Sequence, residues 1–314
     1  MTEDPPLHSE GLPPGMIASI DLASGAAWRH FDRLHEATRD WFESESKLEP
    51  LVIDELLAES TRPQVTRHSE GMTITLRGVN LTPGAAPEDM ISVRIWAEPD
   101  RILSLQGPRL KAAEAVAREL QAGRGPSTAG QLIAAIITGL TDRIGPVIEK
   151  LIAIVDDLED RVIDPKLVAD RLELITARQR IITLSRYLGP QAAAINDLVS
   201  SGYDGFDQAD IDRLRFQSDR VTRGVEDLDA LKSRCAIIQE ELANDLAEKA
   251  NTRIYAVTIL AAIFLPLTLV SGMLGMNVGG VPLMEHDLGF WITTVALTVL
   301  GVGGYLLVRR FDWL

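Results

Sequence analysis

Two uncharged stretches near the C-terminal end constrain this chain more than any other feature. Ile254–Leu274 (IYAVTILAAIFLPLTLVSGML) and Leu288–Val308 (LGFWITTVALTVLGVGGYLLV) contain no Asp, Glu, Lys or Arg. A helix rising about 1.5 Å per residue crosses a bilayer core of about 30 Å with roughly 20 apolar residues, and each stretch is long enough. Two such runs side by side would need an unusually large core if buried in a soluble protein. They are read as two membrane spans. Lys249 and Arg253 precede the first, Arg309 and Arg310 follow the second, and the intervening loop has Glu285 and Asp287 but no base. The excess of Lys and Arg on one side predicts both termini in the cytoplasm and a short external loop. Tyr255, Trp291, Tyr305, Phe311 and Trp313 lie near the span ends, where aromatic rings favour the interface.

The rest of the chain is acidic. Across 314 residues, 31 Lys and Arg face 45 Asp and Glu, a net charge of −14. That balance argues against a nucleic-acid partner, which calls for a basic footprint, and favours attraction of cations. The single cysteine, Cys235, excludes a disulfide scaffold and a thiolate zinc cluster within one chain, and is read as a small buried residue on a helix. No H-E-x-x-H pair occurs, and MTEDPPLHSE lacks the basic and apolar segments of a signal peptide.

The chain divides into a flexible tail (1–15), a cytoplasmic α/β domain (16–126), long cytoplasmic helices (127–208), a stalk helix (209–253), a first span (254–276), an external loop (277–287), a second span (288–308) and a basic tail (309–314). Within 16–126, Thr73–Arg77 and Ser92–Trp96 alternate in polarity and predict half-buried strands. Arg101–Leu105 reads as the return strand of a hairpin. Helical patterns over Trp28–Phe42 and Leu110–Gln121 flank them. Gly71, Gly78 and Gly84 are assigned to turns. No P-loop, dinucleotide fingerprint or nucleophile elbow is present, so an enzyme is the weakest of the functional classes. Beyond Gly123–Pro126 the chain turns helical: Gln131–Ile163, Leu167–Ser200, and a third stretch from about Asp210 into the first span. Leu228, Leu231, Cys235, Ile238 and Leu242 recur three and four apart, a coiled-coil-like seam. One helix of that extent approaches roughly 100 Å and must pack on partners.

The seam spacing continues into the first span through Asn251, Ile254, Thr258, Ala261, Leu265, Thr268 and Gly272. In a lone hairpin, the polar members hydrogen-bond between helices. In a ring of identical helices they face a central pore, where hydroxyl and amide oxygens replace or orient an ion's water shell, and Ile254 and Leu265 form apolar constrictions. Spacing does not decide between these two. The stalk carboxylates have the same two-sided reading: a solvated surface, or hard oxygen donors gathering divalent cations.

Gly275-Met276-Asn277 ends the first span and opens the short loop. This arrangement resembles the CorA superfamily of divalent-cation transporters, whose signature is Gly-Met-Asn at this place. The continuation Val278-Gly279-Gly280-Val281-Pro282 is similar to the ZntB branch, associated with zinc. The Met-Pro-Glu typical of the magnesium branch is replaced by Val281-Pro282-Leu283, so that branch's external glutamate is missing.

The resemblance implies a funnel-shaped homopentamer: an α+β cytoplasmic domain, a long helical stalk and two transmembrane helices in the inner membrane, the first helices of five copies lining one pore. Gly275, Met276 and Asn277 form its outer mouth. By the same resemblance the expected cargo is Zn2+, with Co2+, Ni2+, Cd2+ or Mg2+ as further ions, no permanently bound cofactor is expected, and protons are candidate co-substrates. Glu285, His286 and Asp287 are candidates for a cation-attracting rim, against which His286 also reads as an ordinary exposed loop residue. Asp89 and Asp245 are candidates for a cytoplasmic metal site. Two alternatives stand beside zinc uptake: a Mg2+ channel of the same architecture, and a membrane-anchored signalling or scaffold protein.

Overall fold

The structure is a computed structural model that describes residues 11–59, 61–163, 171–276, 278–279, 281–282 and 287–310. It divides into two compact units, residues 1–239 and 240–314.

The first unit is built on a six-stranded mixed sheet of order β1-β2-β6-β5-β4-β3. Its strands are β1 (Met16–Asp21), β2 (Ala27–Asp32), β3 (Gln64–Arg67), β4 (Met72–Gly78), β5 (Ile91–Ala97) and β6 (Arg101–Gln106). β5 and β6 form the expected antiparallel hairpin, whereas β2 joins β6 in parallel, Trp28 opposite Ile102. One face packs on α1 (Glu36–Ser44) and α2 (Pro50–Leu57), through Phe31, Trp96, Leu103 and Leu105 against Phe42, Ile53 and Leu56. Glu55 fastens α2 to the edge of the sheet, its Oε1 accepting the hydroxyls of Thr73 at 2.8 Å and Thr66 at 3.1 Å. On the other side lie α3 (Lys111–Gln121) and the long α4 (Ala129–Ile163).

Three sequence expectations change here. Trp28–Phe42 is not one helix: Trp28 and Phe31 belong to β2, and α1 starts only at Glu36. The aromatic spacing that mimics a helix comes from a strand buried on both faces, Trp28 and Phe31 pointing to opposite sides of the sheet, followed by a turn. β4 and β5 are not half-buried, because helices cover both faces of the sheet and leave Thr73, Thr75 and Arg94 inside. Gly78 is no turn residue. It lies in β4, where a Cβ would come within 2.7 Å of Leu140 and 2.8 Å of Leu110, so its lack of a side chain lets α4 approach.

α4, α5 (Arg171–Val199) and the first part of α6 (Gln208–Leu274) pack as a helical layer. Leu228, Leu231, Cys235 and Ile238 of the expected seam are buried, and Gly224 admits Ile148 of α4. Burial raises the Cys235 thiol pKa. Arg234 of α6 grips Glu159 through Nε at 2.7 Å and Asp156 through Nη2 at 2.5 Å. The Ala129–Val162 part of α4 is also long and apolar enough to cross a membrane, yet half of its most apolar window is buried against the rest of this unit.

The second unit holds the remainder of α6 and α7 (Gly289–Arg310). Both contain stretches long and apolar enough to span a membrane, with at most 6% of the window buried.

Candidate ion-conducting face

α6 begins at Gln208, carries no break at the end of the stalk, and persists to Leu274 even through Pro266. Pro266 has no N–H, so the carbonyl of Ala262 lacks its helical donor. From Ile254 onward α6 covers α7 along Ile259, Ile263, Leu267, Val270 and Leu274, the positions of that stretch that are not fully exposed. The facing positions on α7 include Gly289, Thr293, Leu297, Gly301, Gly304 and Val308. Glycine sets the approach: a Cβ at Gly301 would lie 3.4 Å from Leu267, and one at Gly304 3.8 Å from Ile263.

Asn251, Ile254, Thr258, Ala261, Leu265, Thr268 and Gly272 are all exposed. At about 100° per residue they lie half a turn away from the α7-covered positions. Ile254 and Leu265 are 64% and 68% exposed, and a Cβ at Gly272 would meet nothing within 4 Å. The side of α6 opposite α7 therefore carries the stripe of mixed apolar and polar residues, flanked by the equally exposed Val257, Leu260, Phe264 and Leu269. Thr258 donates its hydroxyl proton to Ile254 O at 2.9 Å, and Thr268 to Phe264 O at 2.8 Å. With those protons committed to the helix, each hydroxyl oxygen is left as an acceptor, the polarity a cation or its water shell requires.

Gly275 follows the helix end, its N–H bonded to Ser271 O at 3.0 Å, and Met276 is exposed. Asn277, Glu285 and His286 lie outside the described residues. Asp287 is exposed in a turn. Asp89 is exposed in the loop before β5, its N–H bonded to Ala86 O, and Asp245 is exposed on α6, paired with Lys249 Nζ at 2.6 Å. Among the described residues no group of three His, Cys, Asp or Glu side chains is placed to hold a metal ion. Sequence reading overlooked the glycine-lined contact between α6 and α7. Gly301, Gly304 and Val308, spaced three and four apart, were the available signal.

The mixed-sheet domain, the long helices and the apolar helical pair together define a known class. The pattern of the family described as CorA-like Mg2+ transporter protein matches residues 23–310, and the chain belongs to that family. It is 34% identical over 301 residues to the divalent cation transporter CmaX of Pseudomonas aeruginosa, covering 95% of this chain and 91% of that one. It is 33% identical over 296 residues to the zinc transport protein ZntB of Yersinia enterocolitica, covering 94% and 90%. The solved structure of full-length CmaX superposes with a TM-score of 0.83 at 31% identity, covering 97% of this chain and all of that one.

Proposed function

We propose that this protein carries divalent metal cations across the inner membrane, with Zn2+ uptake as its main activity. Five copies surround a central path lined by the first spans, both termini in the cytoplasm. The observation that carries this reading is the stripe from Asn251 to Gly272, bare of α7 and bearing acceptor oxygens at Thr258 and Thr268. Neutral oxygens orient a hydrated dication without the fixed charge that would trap it. Asn277, with Gly275 and Met276, forms the outer entrance, and Glu285, His286 and Asp287 raise the local cation concentration beside it. Asp89 and Asp245 are the acidic residues assigned to cytoplasmic metal control.

The name of the ZntB relative and the loop Val278–Leu283, which lacks a glutamate after its proline, support Zn2+. The description of the family supports a second reading, a Mg2+ channel of the same build. Uptake by reconstituted liposomes, measured metal by metal with and without an inward proton gradient, separates them. Zinc entry enhanced by the gradient is expected. Robust Mg2+ flux without Zn2+ entry defeats the zinc reading, and impermeability to every dication defeats transport. Asn277→Ala should abolish flux while the assembly persists, whereas a membrane-anchored scaffold would be indifferent to it.

A further inference from the structure

Arg94 and Arg77 both reach Thr61, and Arg33 is near enough for its charge to act on Arg94, with no acid to balance the three. Arg94, on β5, is 1% exposed. Its Nη1 donates to Leu56 O at 2.7 Å, at the last turn of α2, and its Nη2 reaches Thr61 Oγ1 at 3.5 Å. Arg77, on β4, donates Nη2 to the backbone oxygen of the same Thr61 at 2.8 Å and Nη1 to Met90 O at 2.7 Å. Two guanidinium groups thus converge on one residue. Arg33, immediately after β2, adds a third charge. Burial lowers the Arg94 pKa to about 10, and the positive charges of Arg33 and Arg77 push it in the same direction. The Nε atoms of Arg33, Arg77 and Arg94 are all buried without a hydrogen-bond partner.

Other arginines of this unit are treated differently. Arg101 meets Glu98, Arg109 meets Glu114, Arg180 meets Glu88 and Arg234 meets Glu159. Among the described residues no carboxylate comes within salt-bridge distance of Arg33, Arg77 or Arg94, in a chain where acids outnumber bases by 45 to 31. Backbone carbonyls and the Tyr187 ring, 4.2 Å from the Arg77 guanidinium carbon, supply only partial negative charge. A buried charge without a full counter-charge is strongly disfavoured, and guanidinium forks are shaped to hold small anions through paired N–H groups.

We propose that the Arg33–Arg77–Arg94 cluster binds a small inorganic anion that supplies the missing counter-charge. Arg94 is 1% exposed, so a nucleotide is too large, and the half-buried Arg33 and Arg77 are the members of the cluster that a small ion would meet first. Both share the required chemistry: compact negative charge that accepts N–H donors.

The test uses the full chain in detergent, with gluconate, too bulky to enter, holding ionic strength constant. Inorganic phosphate and chloride are titrated separately, and binding is followed by equilibrium dialysis with labelled anion and by melting temperature. Saturable uptake of one or both at one anion per chain is expected, with a matching rise in melting temperature that levels off. A general salt effect would rise without levelling. Arg33→Gln and Arg77→Gln should each weaken binding at least tenfold. Arg94→Met should abolish the anion dependence and leave the anion-free protein at least as stable as the wild type, because the uncompensated charge is gone. Should Arg94→Met fail to fold, the other two variants carry the test. Absence of saturable binding of either anion, or binding unchanged in the Arg33→Gln/Arg77→Gln double variant, overturns the assignment.

Discussion

Ser104 Oγ and His30 Nδ1 stand 2.7 Å apart in the buried layer between the sheet and α3, and the indole of Trp28 donates to the same oxygen at 2.7 Å. The other ring nitrogen, Nε2, is buried without a partner. Burial lowers the His30 pKa from 6.5 to about 4, against the opposing influence of Gln106 and Glu114. The ring is therefore neutral in the folded protein at every pH where the unfolded chain would begin to protonate it. Above pH 6.5 neither state takes a proton and His30 contributes no pH dependence. As pH falls from 6.5 to 4 the unfolded state gains the proton first, and stability drops. At about 1.36 kcal/mol per pKa unit the loss reaches about 3 kcal/mol. Melting curves of wild type and His30→Gln, compared from pH 7 to 4, should converge by that amount. Curves that stay parallel would refute the assignment.

The Arg234 clasp responds to acid through a different group. Hydrogen bonding from Arg234 holds the Glu159 carboxyl below its usual pKa. Its contribution is fully present above the ordinary carboxyl value of 4.5 and disappears as pH falls through the lower folded value. Both partners are about one-third exposed, so solvent screening limits the clasp to about 1 kcal/mol. Arg234→Gln should lower stability by that amount at pH 7 in low salt and by less in 1 M salt, as read from denaturant midpoints.

Cys235 offers a probe of the helical layer. It is buried at α6, and its thiol pKa is raised. Thiolate is the reactive form, so maleimide should leave the native protein unlabelled and modify it on denaturation. Prompt labelling at neutral pH, followed by intact mass, would show that this part of α6 opens in solution.

On the proposed ion-conducting stripe of α6, Thr258→Val and Thr268→Val keep side-chain shape and remove the acceptor oxygen. Hydrogen bonds to charged groups are worth about 1.5–3 kcal/mol, so each change should reduce Zn2+ flux by roughly tenfold or more without altering assembly size. Flux equal to wild type in both variants removes these hydroxyls from the ion's path.

The contact between α6 and α7 makes a steric prediction. Gly301→Ala places its methyl about 3.4 Å from Leu267 and should be tolerated. Gly301→Leu has no room and should separate the two helices, lowering the melting temperature of the detergent-solubilised protein well below that of the alanine variant. Equal melting temperatures would mean that the pair is not held through this glycine.

Much of this organisation could be read without coordinates, for physical reasons. The apolar spans, the 208–274 helix and the Leu228–Ile238 seam are local, periodic signals, and one residue type repeats every turn. The sheet was harder. β2 finds β6 across some seventy residues of chain, a partnership invisible to local spacing, and Trp28 and Phe31 look helical until that partner is known. The polar alternation of β4 and β5 misled in another way. Arg94 looks solvent-facing because its neighbours alternate, yet α2 covers that side, so its charge ends up inside, with Arg77 half-buried beside it. The stripe from Asn251 to Gly272 was recognisable by its three–four spacing, but which way it pointed was not. That depended on the glycines of α7, more than thirty residues away.

Because α7 claims one side of α6 and the residues proposed to line the ion's path occupy the other, damage to the two sides should behave differently in a cell that also makes the normal protein. A chain spoiled at Gly301 fails on its own and is cleared, leaving intact copies to work. If the copies assemble in the ring proposed above, one spoiled at Thr268 still folds and still joins its siblings, so a minority of such chains would poison the mixed rings, and the defect would be inherited as dominant.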